Sequence, residues 1–184
     1  MAPQFASLDD YIRAFSKDRE LAIVPIPLVA EHLERSAPAV TAMISSGRLN
    51  EIKIGKNRFV ALKSLVDLEE AYENQVDVVM RYLAKQAKNG VSVVFYEPVM
   101  AQVGMKTSVP ADRSKIGEIL GAVSERSYEE HGVLLSVIVH RKALGATTPG
   151  PGFFALAEGM GYDWEDDIAF VTKETKKVIK AYRG

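Results

Sequence analysis

Arg48, Lys53, Lys56 and Arg58 stand close together in SGRLNEIKIGKNRF (residues 46–59), with Glu51 the single acid among them. Bases gathered this way suit phosphate: lysine offers a point charge and arginine a fork of donors. The surplus is local, because the chain of 184 residues has a formal net charge of −1. Between Arg35 and Lys63 there are six bases (Arg35, Arg48, Lys53, Lys56, Arg58, Lys63) and one acid, a balance of +5.

The second half holds weaker candidates. If VIVHRK is a strand, Ser136, Ile138, His140 and Lys142 share one face. His140 and Lys142, with Asp112 or Glu97, could then form a nuclease-like site, but such sites need two acids beside the lysine and this strand supplies none. A Ser-His-acid triad at Ser136 lacks a nucleophile elbow. YDWEDD puts four acids around Trp164, which suits a cation or a basic partner and, more often, marks a helix N-terminus. TTPGPGFF is glycine-rich but lacks the Gly-Lys-Ser/Thr end of a phosphate loop, and reads as a stiff strand-to-helix turn. The absence of cysteine excludes disulfides and thiol catalysis. His32, His131 and His140 show no metal-ligand spacing. No metal or cofactor is expected.

The elements that position these residues follow from periodicity and caps. Leu8, Ile12 and Phe15 predict a short amphipathic helix, capped by Ser7 with Asp9 and Asp10 in its first turn. IVPIPL breaks it with prolines. A second helix follows over PLVAEHLER, and a third over SAPAVTAMISSGR, capped by Ser36 and stopped at Gly47. NEIKIGKNRFVA reads as two strands about a turn at Gly55–Asn57. A long helix runs from Leu62 to about Asn89, its stripe made by Leu65, Leu68, Tyr72, Val76, Val79, Leu83 and Ala87. Beyond it, VSVVFYEPVMAQVG predicts a strand, a turn and a short helix, and DRSKIGEILGAVSERSYEEHG a helix. VLLSVIVHRK, apolar on both faces, predicts a central strand, with Val137 and Val139 buried beside Ile116 and Leu120. FALAEGMGY and the basic TKETKKVIKAYRG predict two more helices, the latter able to add a second phosphate contact. The fold class expected is α+β. Its parts are an N-terminal helix (1–20), a winged helix-turn-helix (21–73), and a small C-terminal α/β domain (74–184).

Two helices separated by about three residues and followed by a hairpin have the order of a winged helix-turn-helix. VAEHLERSAPAVTAMISSGRLNEIKIGKNRFVALKSLVDLEEA resembles the excisionase-like branch of the MerR-type winged helix family. The likeness rests on Val29–Ala30, Leu33, Ser36, Val40, Ile44, Gly47–Arg48, Ile54–Gly55, Arg58–Phe59 and Ser64–Leu65. It implies double-stranded DNA as partner. The residues it implicates are Arg35, Thr41, Ser45, Ser46, Arg48, Lys53, Lys56, Asn57 and Arg58. The helix that would enter the groove, APAVTAMISS, carries none of the Arg, Lys, Asn or Gln side chains that pair with bases in two places at once. In the second half, FYEPVMAQVG…DRSKIGEILGAVS resembles the helix-turn-helix core of the alkyltransferase-like DNA repair fold. That implies a second winged-helix-like unit; without the family's Pro-Cys-His-Arg, alkyl transfer is excluded. LLSVIVHRKALGATTPGPGFFALAEGMG is similar to a pattern in uncharacterised bacterial and phage proteins, to which no activity attaches.

The leading expectation is therefore a non-enzymatic DNA-binding protein, a transcriptional regulator or a phage or mobile-element accessory factor. The alternatives are a nucleic-acid-processing enzyme with a C-terminal catalytic domain, and a protein–protein adaptor that has lost DNA binding. A homodimer is expected, through the long helix or the C-terminal domain, because the helix stripe is longer than one small module covers. No apolar run is long enough for a membrane span and no secretory signal is evident, so a cytoplasmic location is expected.

Overall fold

The Ser7 side chain accepts a hydrogen bond from the Asp10 N–H at 3.2 Å and opens helix α1, Leu8–Phe15. Ser36 does the same for α3, Ala37–Ser45, through the Ala39 N–H. Pro27 sits in the first turn of α2, Ile26–His32, where its missing N–H is no loss. Gly47, just past α3, takes φ +76°, the left-handed conformation in which a side chain would be strained. These are local effects, and each element stands where its own residues place it.

The computed structural model describes residues 3–142 and 147–184. Over these residues it is mixed α+β and 63% helix, with eight α-helices, a four-strand mixed sheet and a two-strand sheet. The chain divides into two compact units, Met1–Tyr72 and Glu73–Gly184. Helix α4, Leu62–Lys88, starts in the first and continues into the second.

In the first unit, β3 (Glu51–Ile54) and β4 (Asn57–Ala61) form an antiparallel hairpin whose turn is Gly55–Lys56, with Gly55 at φ +57°. Two further strands complete the sheet. β1 (Gln4–Phe5) runs parallel to β3, and β2 (Ile23–Pro25) pairs antiparallel with β4, in the order β1-β3-β4-β2. Neither was legible in advance: β1 has two residues, and β2 lies in the proline segment expected only to break a helix. The core gathers Val29 and Ala30 of α2, Val40 and Met43 of α3, Leu49, Val60 and Leu65. Each large side chain fully buried here contributes about 1.5–3 kcal/mol.

Helix α1 departs from expectation. Tyr11 is its buried residue, while Leu8 and Ile12 are 59% and 52% exposed. The Tyr11 hydroxyl donates to the Leu21 carbonyl at 3.1 Å, and its ring packs edge-on against Phe5 and stacks on Phe15. Strand β1, which brings Phe5 there, selects the tyrosine side over the aliphatic one.

The second unit contains the rest of α4, then β5 (Val94–Phe95), α5 (Tyr96–Ala101), α6 (Pro110–His131), β6 (Val139–His140), α7 (Pro151–Gly159) and α8 (Asp167–Arg183). β5 and β6 pair in parallel, Val94 with Val139 and Phe95 with His140. The central strand expected across 133–141 is confined to those last two residues; Leu135–Ile138 is a 3-10 turn. Burial was correctly anticipated, since Val133 to His140 are all buried along with Ile116 and Leu120. The backbone differs because α6 serines take the place of a partner strand. Ser127 Oγ accepts from the Leu135 N–H at 2.9 Å and Ser124 Oγ from the Ser136 N–H at 3.0 Å. With these N–H groups already satisfied, no neighbouring strand is needed.

The stripe of α4 also reads differently in the structure. Val76, Val79, Leu83 and Ala87 have no exposed surface within the single chain. The stripe is longer than one unit, and its later part is covered within the second unit of the single chain.

Candidate nucleic-acid interface

α2, α3 and the β3–β4 hairpin present the sequence-nominated residues on one unit. The outward side of α3 is made of small residues: Ala37, Pro38, Ala42, Ser45 and Ser46 are all exposed. A helix so faced can approach another surface closely. Its hydroxyls are engaged with the helix itself. Thr41 Oγ1 donates to the Ala37 carbonyl at 3.1 Å, Ser45 Oγ to Thr41 at 3.0 Å, and Ser46 Oγ to Met43 at 3.1 Å. What these residues still offer outward is lone pairs, which accept from cytosine or adenine amino groups and discriminate weakly.

The hairpin cations divide into two sets. Lys53 and Arg58 face each other across the strands and share Glu51, which receives Arg58 Nε and lies 3.4 Å from Lys53 Nζ. Burial opposes ionisation of Glu51, but its hydrogen bonds to Arg58 and Lys53 and their charges outweigh this, so its pKa is lowered. Lys63 is held by Asp67 at 3.0 Å. The surplus of the 35–63 segment is thus partly neutralised inside the unit. Arg35, Arg48, Lys56 and Asn57 are exposed. Arg48 and Lys56 have no carboxylate partner among the described residues, so their charges are not neutralised within the unit. A cleft of about 670 Å³ lies beside the hairpin, where Asp18, Glu20, Glu51 and Asp67 outnumber Arg58 and Lys63. Its lining is acidic on balance and does not suit phosphate.

The Glu51–Lys53 pairing has a sequence signal: the two residues are two apart on a strand and so share a face. The outward aliphatic face of α1, with Leu8 and Ile12, had none, because periodicity marks an apolar side without saying what covers it.

In the second unit the nuclease-like grouping does not assemble. Lys142 Nζ lies 3.3 Å from one acid, Glu97, and Asp112 accepts from the Lys106 N–H at 2.9 Å. His140 is buried, with Nε2 3.1 Å from the Val137 carbonyl and Nδ1 3.1 Å from Thr147 Oγ1. Ser136 Oγ bonds Ser124 Oγ at 2.6 Å, so no triad forms around it. Among the described residues no cluster of three or more His, Asp or Glu could hold a metal. In the acidic turn, Asp166 caps α8 through the Ala169 N–H at 2.6 Å and Asp167 accepts from Trp164 Nε1 at 2.7 Å. The glycine-rich turn leads into α7, and a Cβ at Gly150 would stand 2.8 Å from the Tyr96 hydroxyl. Tyr96 is thus a packing residue and Gly104, at φ +70°, a turn residue. The Ala143–Ala146 part of the longer pattern lies outside the described residues.

His140 gives a pH prediction. Burial lowers its pKa, against the opposing pull of the Val137 and Thr147 contacts. The unfolded chain therefore takes up the proton first as pH falls. His140 places no penalty on folding above its ordinary pKa of about 6.5, and stability is lost below it. Unfolding free energies measured from pH 7.5 to pH 5 should decline, and His140→Gln should flatten that decline. An equal slope in both proteins would show that the folded state does not disfavour the imidazolium.

Comparison of the chain with family models, with curated proteins and with solved structures finds no match in any of the three. Among the described residues no helix is long and apolar enough to cross a membrane.

Proposed function

We propose that this chain is a double-stranded DNA-binding protein in which α2, α3 and the β3–β4 hairpin act as a winged helix-turn-helix. The observation that supports this best is the outward side of α3. It is small-residued and free of acids, and Arg48 and Lys56 follow it exposed and without a carboxylate partner among the described residues. Such a surface holds DNA through the backbone and groove shape, with little base readout. A role in transcription or as an accessory factor of a mobile element fits a binder of this kind.

Arg48→Ala with Lys56→Ala is the test, because neither change frees a carboxylate as Arg58→Ala would free Glu51. Binding to a labelled duplex should weaken for all sequences alike, and the slope of log affinity against log salt should drop by about 2. Parent-like binding of the folded double variant at every salt concentration would remove the reading.

A second reading, a protein–protein adaptor, has one observation in its favour. Leu8 and Ile12 give α1 an apolar face that is more than half exposed among the described residues. It requires that the protein fail to retain DNA even at low salt.

A further inference from the structure

We propose that the outward face of α8 is a second seat for the nucleic-acid backbone, one that contributes affinity without sequence preference. Lys173, Lys176, Lys177 and Lys180 follow one another at three, one and three residues, so they share one side of the helix. The opposite side, Phe170, Val171, Glu174, Thr175 and Val178, is buried. Glu174, the one acid of α8 beyond its first turn, is only 1% exposed and holds Lys177 at 2.7 Å. Lys173, Lys176 and Lys180 have no carboxylate partner among the described residues.

The surroundings of the lysines narrow the kind of partner. Between them lies an open depression of about 580 Å³ floored by Ala169 and Thr172. A membrane-surface helix needs several large apolar side chains at the lipid boundary; here Phe170, Val171 and Val178 are buried, and Ile168, in the first turn, is the large apolar residue of α8 left well exposed. A peptide partner needs enclosed pockets for anchoring residues, and this depression, lined by Ala169 and Thr172 between the lysines, is open. Small residues between cations do allow a sugar–phosphate backbone to come close. The helix rises about 1.5 Å per residue, so Lys173 and Lys180 are about 10 Å apart along the axis. About that length of duplex carries roughly six phosphate charges. Lysine ammonium groups meet phosphates as point charges, which fixes affinity and leaves sequence unread.

This inference extends the DNA-binding reading of the first unit to the second, and one experiment separates the two. Binding of a labelled duplex to the full chain is followed by fluorescence anisotropy from 50 to 300 mM salt (order of the range over which counterion release is read). Three proteins are compared: the parent, the Arg48→Ala/Lys56→Ala double, and a Lys173→Ala/Lys176→Ala/Lys180→Ala triple. Lys177 is kept because it partners the buried Glu174. The triple should lower the salt slope by about 2–3, equally for unrelated sequences, with its thermal midpoint unchanged. The matching Lys→Gln triple, which keeps longer side chains, should do the same. A triple with the parent's slope overturns the α8 seat and leaves the hairpin untouched. A lowered slope in the triple alone keeps the α8 seat and overturns the hairpin. No binding by any of the three at the lowest salt overturns both. Parent binding to phosphatidylserine-containing vesicles but not to duplex makes α8 a lipid surface and also overturns the proposal.

Discussion

Leu83→Asp should unfold the second unit. Leu83 has no exposed surface, and neither do Val76, Val79 and Ala87 along the same side of α4. The substitution removes a burial worth about 1.5–3 kcal/mol. It also places a carboxylate where no partner awaits it, which costs several kcal/mol more even if the group takes up a proton. The sum approaches the whole stability of an ordinary domain, about 5–15 kcal/mol. Circular dichroism of the variant should show lost helix and the second unit should have no cooperative thermal transition. Lys85→Asp on the exposed side of the same helix should leave both intact. A Leu83→Asp protein that stays folded and sizes as a monomer beside a dimeric parent would mean the stripe is an interface between copies after all.

Ser127→Ala should destabilise the second unit by about 2–4 kcal/mol. Ser127 is fully buried; its hydroxyl donates to the Val133 carbonyl at 2.6 Å and accepts from the Leu135 N–H at 2.9 Å. Alanine orphans both backbone groups in the core, and each unsatisfied group costs about 1–3 kcal/mol. A methyl group fills part of the space but satisfies neither. Urea unfolding should show a lower midpoint with an unchanged slope. Ser114→Ala, on the exposed part of the same helix, should change the midpoint very little. A loss below about 0.5 kcal/mol at Ser127 would mean that the 3-10 turn finds its partners elsewhere and that α6 does not dictate its shape.

The sequence by itself determined several of the helix ends. Ser7, Ser36 and Asp166 cap α1, α3 and α8 with their own side chains. Gly47, Gly90 and Gly132 sit at positive φ just past α3, α4 and α6. These signals were legible because a cap needs only residues three or four apart. The hairpin was legible for the same reason, its turn being set by Gly55 between two β-branched runs. The candidate phosphate contacts were legible as types, since charge is visible in a list of residues.

Tertiary structure decided which side of an element faces inward and what satisfies its backbone. The periodicity of α1 marked Leu8 and Ile12, yet Tyr11 is buried because β1 carries Phe5 against it. VLLSVIV has the composition of a strand, yet most of it is a 3-10 turn because serines of α6 supply the acceptors a neighbouring strand would have supplied. Lys53 and Arg58 counted as surplus charge until the hairpin register set them both on Glu51. Phe5 and the α6 serines come from another element, and Arg58 reaches Glu51 across a strand pair. A residue's type limits what it can bind, but only the packed chain sets which partner reaches it first.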